Sequence, residues 1–183
     1  MTKEILVYPN PILRKKSKDV EKFDLELHTL LDDMNDTLIE SGGVGLAAVQ
    51  IGVLKNVLLL NLPVVDPDDE SKDIILEENL IEAINPTITH KDGEQIHQEG
   101  CLSVPGYYDD IKRAFNINVS YFNRNGEKIN IEVDDFEAVA WQHEMEHLSG
   151  HVFIENLSFL KRKKFEKDWK RKLKEENQIK KAK

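Results

Sequence analysis

Apolar side chains recur at helical spacing near both ends of the chain and at strand spacing between them. Over Asp24 to Glu40, Leu27, Leu30, Leu31, Met34 and Leu38 fall on one helical face. Asp24 is placed to cap that helix, and Gly42 and Gly43 end it. Asn56 to Leu60 reads as a short apolar strand, and Leu80 to Ile84 and Ile88 to Thr89 as strands separated by Asn85-Pro86. Asn116 to Phe122 alternates, and Ile129 to Val133 follows it across Asn125-Gly126, a favourable hairpin turn. Asp66 to Glu78 is acidic, has Pro63 and Pro67 at its entrance, and reads as a solvated loop. A second helix begins at Asp134, with Glu137 in a capping-box position. It carries Phe136, Val139, Ala140, His143 and His147 down one side and ends near Gly150. A last helix, Leu157 to about Asn177, is apolar at Leu157, Leu160, Phe165, Trp169 and Leu173 and otherwise charged. Terminal helices with segregated strands between them indicate an α+β fold.

Length and composition narrow this further. A chain of 183 residues, 40% hydrophobic and 32% charged, suits a single domain over 1–183. Its longest apolar run, Asn56 to Leu62, is too short to cross a membrane. Met1-Thr2-Lys3-Glu4 lacks the apolar core of a secretion signal. The lone cysteine, Cys101, excludes an intrachain disulfide, so the expected compartment is the reducing cytoplasm. Taken alone, Cys101 reads as a small buried hydrophobe. The net charge of −9 is unevenly spread: residues 161–183 hold twelve Lys or Arg against four Asp or Glu. That segment carries +8 and the rest −17, which points to an anionic partner. The plainer reading is a solvated helix docked through Leu160, Phe165 and Trp169.

The densest chemistry is His143-Glu144-Met145-Glu146-His147. Residues four apart share a helical face, so His143 and His147 can bind one metal ion. Glu144 is then placed to accept a proton from the water that such a metal activates. Two ligands do not say which hydrolase this is. A downstream histidine is missing, because the position three after Gly150 is Phe153 and His151 is out of register. Glu155 and Glu166 lie in no clear second-helix context. Cys101, in Glu99-Gly100-Cys101-Leu102-Ser103, makes a workable thiolate ligand and leaves one position open. In Gly43-Val44-Gly45-Leu46-Ala47-Ala48-Val49-Gln50 the glycines let another backbone approach closely, as a peptide substrate requires.

These three segments resemble the peptide deformylase signatures G-x-G-x-A-A-x-Q, E-G-C-x-S and Q-H-E-x-D-H-x-x-G, in the same order, at Gly43–Gln50, Glu99–Ser103 and Gln142–Gly150. Tyr8-Pro9-Asn10-Pro11-Ile12-Leu13-Arg14 extends the likeness to the N-terminus. Glu146 stands where the family has aspartate, and His151 where it has an apolar residue. The resemblance implies antiparallel sheets around a central metal-binding helix, and a hydrolase that removes the formyl group from N-formylmethionyl nascent peptides and releases formate. Cys101, His143 and His147 would hold Fe2+, with Zn2+, Ni2+ or Co2+ able to replace it. Glu144 would be the general base and later the proton donor. Gln50, by its amide, and Leu102, by its backbone N–H, would steady the oxyanion. Val44, Gly45 and Gly100 would pair with the peptide. Val44, Phe136, Val139 and Ala140 would receive the methionine side chain, although Phe136 reads equally as helix-to-sheet core. His97 replaces an expected apolar pocket residue, and Glu99 would buttress the site near Gln50 or Arg113. His28, His90 and His151 read as surface or packing residues. The implied protein is a cytoplasmic monomer whose basic tail, 161–183, reaches the ribosome. The competing readings are a zinc endopeptidase and a deformylase-like binder without activity.

Overall fold

The structure is a computed structural model and describes residues 1–181. The elements run α1 (Leu25–Ser41), β1 (Gly45–Ala47), β2 (Val57–Leu60), β3 (Val64–Asp66), β4 (Asp69–Ile74), β5 (Ile81–Asp92), β6 (Gln95–Cys101), β7 (Val104–Arg113), β8 (Asn116–Phe122), β9 (Lys128–Asp134), α2 (Asp135–Leu148) and α3 (Phe159–Lys181). An antiparallel sheet has the order β1-β2-β5-β8-β9, and β3-β4 and β6-β7 form separate hairpins. This is the expected α+β class.

The sheet is covered on both faces, and β2 shows why its run is continuously apolar. Leu58 and Leu60 pack with Ala83, Val119, Ala138 and Trp141 on the α2 side. Val57 and Leu59 pack with Leu27, Leu31, Met34 and Leu38 on the α1 side. Successive strand residues point to opposite faces, so a strand between two layers has no polar face. The Asp24 carboxylate accepts from the Leu27 N–H at 3.1 Å and caps α1, which Gly42 closes in the left-handed region (φ 65°).

Four expectations need correction. The acidic 66–78 stretch is not an open loop: most of it belongs to the β3–β4 hairpin, with Val64 opposite Ile74. The two strands expected over Leu80 to Thr89 are one, β5, which starts at Ile81 and is irregular between Ile84 and Thr87 where Asn85 takes φ 52°. Pro86 is tolerated at that bulge, and the Asn85 amide clamps Val20 by bonds of 2.8 and 2.9 Å. The capping box at Asp134 is not made. Asp134 ends β9 with no side-chain cap bond, and Asp135 turns into α2 at φ 48°.

The last correction concerns α3. It docks through Phe165 and Trp169, both buried, while Leu160 is 78% exposed. Trp169 Nε1 donates to the Tyr8 carbonyl at 2.8 Å. Tyr8 belongs to an N-terminal strap in which the Leu6 N–H donates to the Gln50 carbonyl and the Tyr8 N–H to the Ser103 carbonyl. The strap thereby ties the segments that carry Gln50 and Ser103 to the N-terminal region. Residues 182–183 of the basic tail lie outside the described residues. No described helix is long and apolar enough to cross a membrane.

Candidate metal and catalytic centre

His143 and His147 lie one turn apart on α2, with ring centroids 5.1 Å apart. Cys101 ends β6 and brings its Sγ to 3.2 Å from His147 Nε2. One ligand atom from each of Cys101, His143 and His147 lies within 4.8 Å of the others. His143 Nδ1 is engaged by Glu99 Oε2 at 2.8 Å, which leaves Nε2 available for a ligand bond. A thiolate with two imidazoles is a donor set that suits a divalent transition metal, so the residues present fit one.

Glu99 is itself gripped from the other side. Arg113 donates from Nε and Nη2 to its two oxygens at 2.7 and 2.8 Å, and all of these side chains are buried. Burial pushes the Glu99 carboxyl up, but the bonds from Arg113 and His143 outweigh it and hold the group at about 2. Arg113 turns its Nη1 to Glu146 at 2.6 Å, and Glu146 accepts from Asn156 Nδ2. The extra methylene of Glu146 is thus accommodated in an ion-pair chain behind the site. The sequence singled out Glu99 and Arg113; the structure selects Arg113 over Gln50 as the Glu99 partner.

Glu144 follows His143 and faces the cleft rather than this network. Burial raises its carboxyl to about 7, and its Oε2 has no hydrogen-bond partner among the described residues. Gly45 makes room for it: a Cβ there would sit 2.5 Å from Glu144 Oε1. Gln50 is oriented by two bonds. Its Oε1 accepts from the Ala47 N–H at 2.8 Å, and its Nε2 donates to Ser103 Oγ at 3.1 Å and lies 3.7 Å from Cys101 Sγ. Ser103 carried no role by sequence reasoning, although it closes the E-G-C-x-S run. A buried hydroxyl beside a buried amide becomes legible once the two loops are brought together.

One cleft of about 540 Å³ joins these groups. Val44, Gly45, Gln50, Gly100, Cys101 and Leu102 line it from the loop side. Phe136, Val139, Ala140, His143 and Glu144 line it from α2. His147, 1% exposed, lies beneath. Phe136 is 36% exposed and stacks against His97 at 5.0 Å, so it belongs to the cleft mouth rather than the core. Tyr108, which no motif marked, lies over Gly100 and lines the same cleft. Outside the cleft, His28 bonds the Arg124 carbonyl and His151 bonds Asn156, as packing residues do.

The family model for polypeptide deformylase matches residues 2–163. The chain belongs to the peptide deformylase family. It is 50% identical over 175 residues to the peptide deformylase of Campylobacter jejuni, covering 95% of this chain and 97% of that one. Against the peptide deformylase of Nautilia profundicola it is 47% identical over 172 residues, covering 94% and 95%. A crystal structure of a peptide deformylase from Legionella pneumophila superposes with a TM-score of 0.83 at 37% identity, covering 100% of this chain and 99% of its own. Deformylase membership sets aside the zinc endopeptidase reading that the two histidines alone suggested.

Proposed function

We propose that Cys101, His143 and His147 hold the metal of this deformylase-family member and that Glu144 is its general base. The reaction is hydrolysis of the formyl amide of N-formylmethionyl nascent peptides, releasing formate and leaving the methionyl peptide bond intact. The metal, Fe2+ in this reading and replaceable by Zn2+, Ni2+ or Co2+, supplies Lewis-acid activation of water and of the formyl group. Glu144 takes the water proton and passes it to the departing amine. Burial raises its carboxyl to about 7 in the metal-free protein, which suits a group that both takes up and gives up a proton. Gln50 Nε2 and the Leu102 N–H donate to the oxygen on which negative charge develops. Val44, Gly45 and Gly100 hold the peptide by backbone pairing, a mode that tolerates many sequences. The methionine side chain enters between Val44, Phe136, Val139 and Ala140.

The observation that carries this reading is the convergence of three donor atoms within 4.8 Å beside an unpartnered buried carboxylate. The test is anaerobically purified, iron-loaded protein offered formyl-Met-Ala-Ser and an unformylated longer peptide. Formate from the first alone is expected. Internal cleavage of the second, or no product from either, overturns it.

The chain acts as one domain over 1–183 and as a monomer in the cytoplasm. Its basic segment 161–183 contacts ribosomal phosphates, supported by the +8 charge of that segment. Removing Leu173 to Lys183 is expected to abolish low-salt co-sedimentation with ribosomes; undiminished co-sedimentation refutes the contact.

A further inference from the structure

A second cavity, about 370 Å³, opens where β7 meets α3. Gly106 and Tyr107 line both it and the catalytic cleft, so the two lie side by side along β7. Its floor is aromatic: Phe165 and Trp169 stack at 5.4 Å, and Tyr107 packs on Phe165 at 4.5 Å. Its rim is charged, and the carboxylates there are already taken. Asp109 binds Lys161 at 2.5 Å, and Asp168 binds Arg171 at 3.4 Å. Two ammonium groups remain. Lys172 donates to the Pro105 carbonyl at 2.7 Å and lies 4.8 Å over the Trp169 ring, with no carboxylate partner among the described residues. Lys164 lines the groove, is exposed, and makes no ion pair among the described residues.

We propose that this groove binds the segment of the substrate peptide beyond its third residue and favours acidic side chains there. The inference rests on the deformylase reading above. A peptide extended along Val44, Gly45 and Gly100 advances about 3.3 Å per residue and leaves the cleft across whatever lies at its open end. Pro105 and Gly106, at the start of β7, lie between the two cavities. Gly106 adopts φ 77° and presents bare backbone there, with the Lys172 ammonium 3.5 Å from where a Cβ would stand. Beyond them, an aromatic floor under two unpaired ammonium groups suits a peptide bearing carboxylates.

The experiment uses full-length, iron-loaded protein and three substrates: formyl-Met-Ala-Ser, the same tripeptide extended by Asp-Glu-Asp, and the same extended by Lys-Lys-Lys. The acidic hexapeptide is expected to have the lower KM, by about two- to fivefold per charge engaged, at similar kcat. Raising salt toward 1 M should erase the difference, because exposed charges are then screened within about 3 Å. Lys164→Glu should reverse the ratio of kcat/KM between the two hexapeptides. Equal hexapeptides in the wild-type protein, or a ratio untouched by Lys164→Glu, overturn the inference alone. A wild-type protein that releases no formate from the tripeptide overturns the deformylase reading and this inference with it.

Discussion

Helices α2 and α3 are both rich in charged and titratable groups, yet they handle charge in opposite ways. On α2, His143, Glu144 and His147 are buried: His143 bonds Glu99, His147 bonds Cys101, and Glu144 Oε2 is left unpartnered among the described residues. On α3, Phe165 and Trp169 do the docking, while pairs such as Arg162–Glu166 and Arg171–Asp168 lie in solvent. The difference is the surrounding medium. Away from water an unpaired charge costs several kcal/mol, so a buried group is either paired, as His143 is, or pushed toward its neutral form, as Glu144 is. In water a charge needs no partner, and composition matters more than placement.

That contrast can be broken most sharply at Glu144. Glu144→Ala should keep its metal by elemental analysis and lose about 10²–10⁴-fold in kcat; near-normal turnover would remove Glu144 from the mechanism. Next comes the buried pair behind His143. Glu99→Ala leaves the Arg113 guanidinium buried and should cost about 3–5 kcal/mol in denaturant unfolding of the metal-free protein. The pH dependence has a definite sign. The folded pKa of Glu99, about 2, lies below its ordinary value of 4.5, so the stabilisation is present above 4.5 and fades as pH falls toward 2. The gap between wild type and Glu99→Gln should therefore close over that window. Gln50→Ala, which removes the amide beside Cys101, should lower kcat about a hundredfold or more, with little change in KM. At the small end, Arg171→Ala on α3 should shift the unfolding free energy by less than about 0.5 kcal/mol. A large loss there would mean that α3 charges are as placed as those of α2.

The same contrast explains what could be read from the chain. Regions with one buried face announce themselves: α1 by its leucines, β8 and β9 by alternation and the Asn-Gly turn, α2 by a stripe ending in two histidines. The β3–β4 hairpin has little buried face, so its sequence carries no period, and backbone pairing alone makes it a hairpin. Asn85-Pro86 looked like a break because local propensity does not register a bulge whose amide is held by Val20, 65 residues away. The Asp134–Glu137 pattern failed because β8–β9 pairing keeps Asp134 in the strand. At the site, the convergence of Cys101, His143 and His147 beside Glu144 and Gln50 was legible because the motifs encode side-chain spacing. Ser103, Tyr108 and the Arg113–Glu146 contact were not, since they depend on which segments the fold brings face to face.

The strap at Leu6 and Tyr8 bears on the order in which the protein is built. Its two backbone bonds reach Gln50 and Ser103, and the Tyr8 carbonyl then waits for Trp169, 161 residues later. Contacts of such long sequence separation form late, because a long loop must close before they stabilise anything. The strap is thus clasped by a helix that lies far downstream of it in the chain. A chain interrupted before α3 would hold every metal ligand and still lack the clasp over the strap that braces its Gln50 and Ser103 loops.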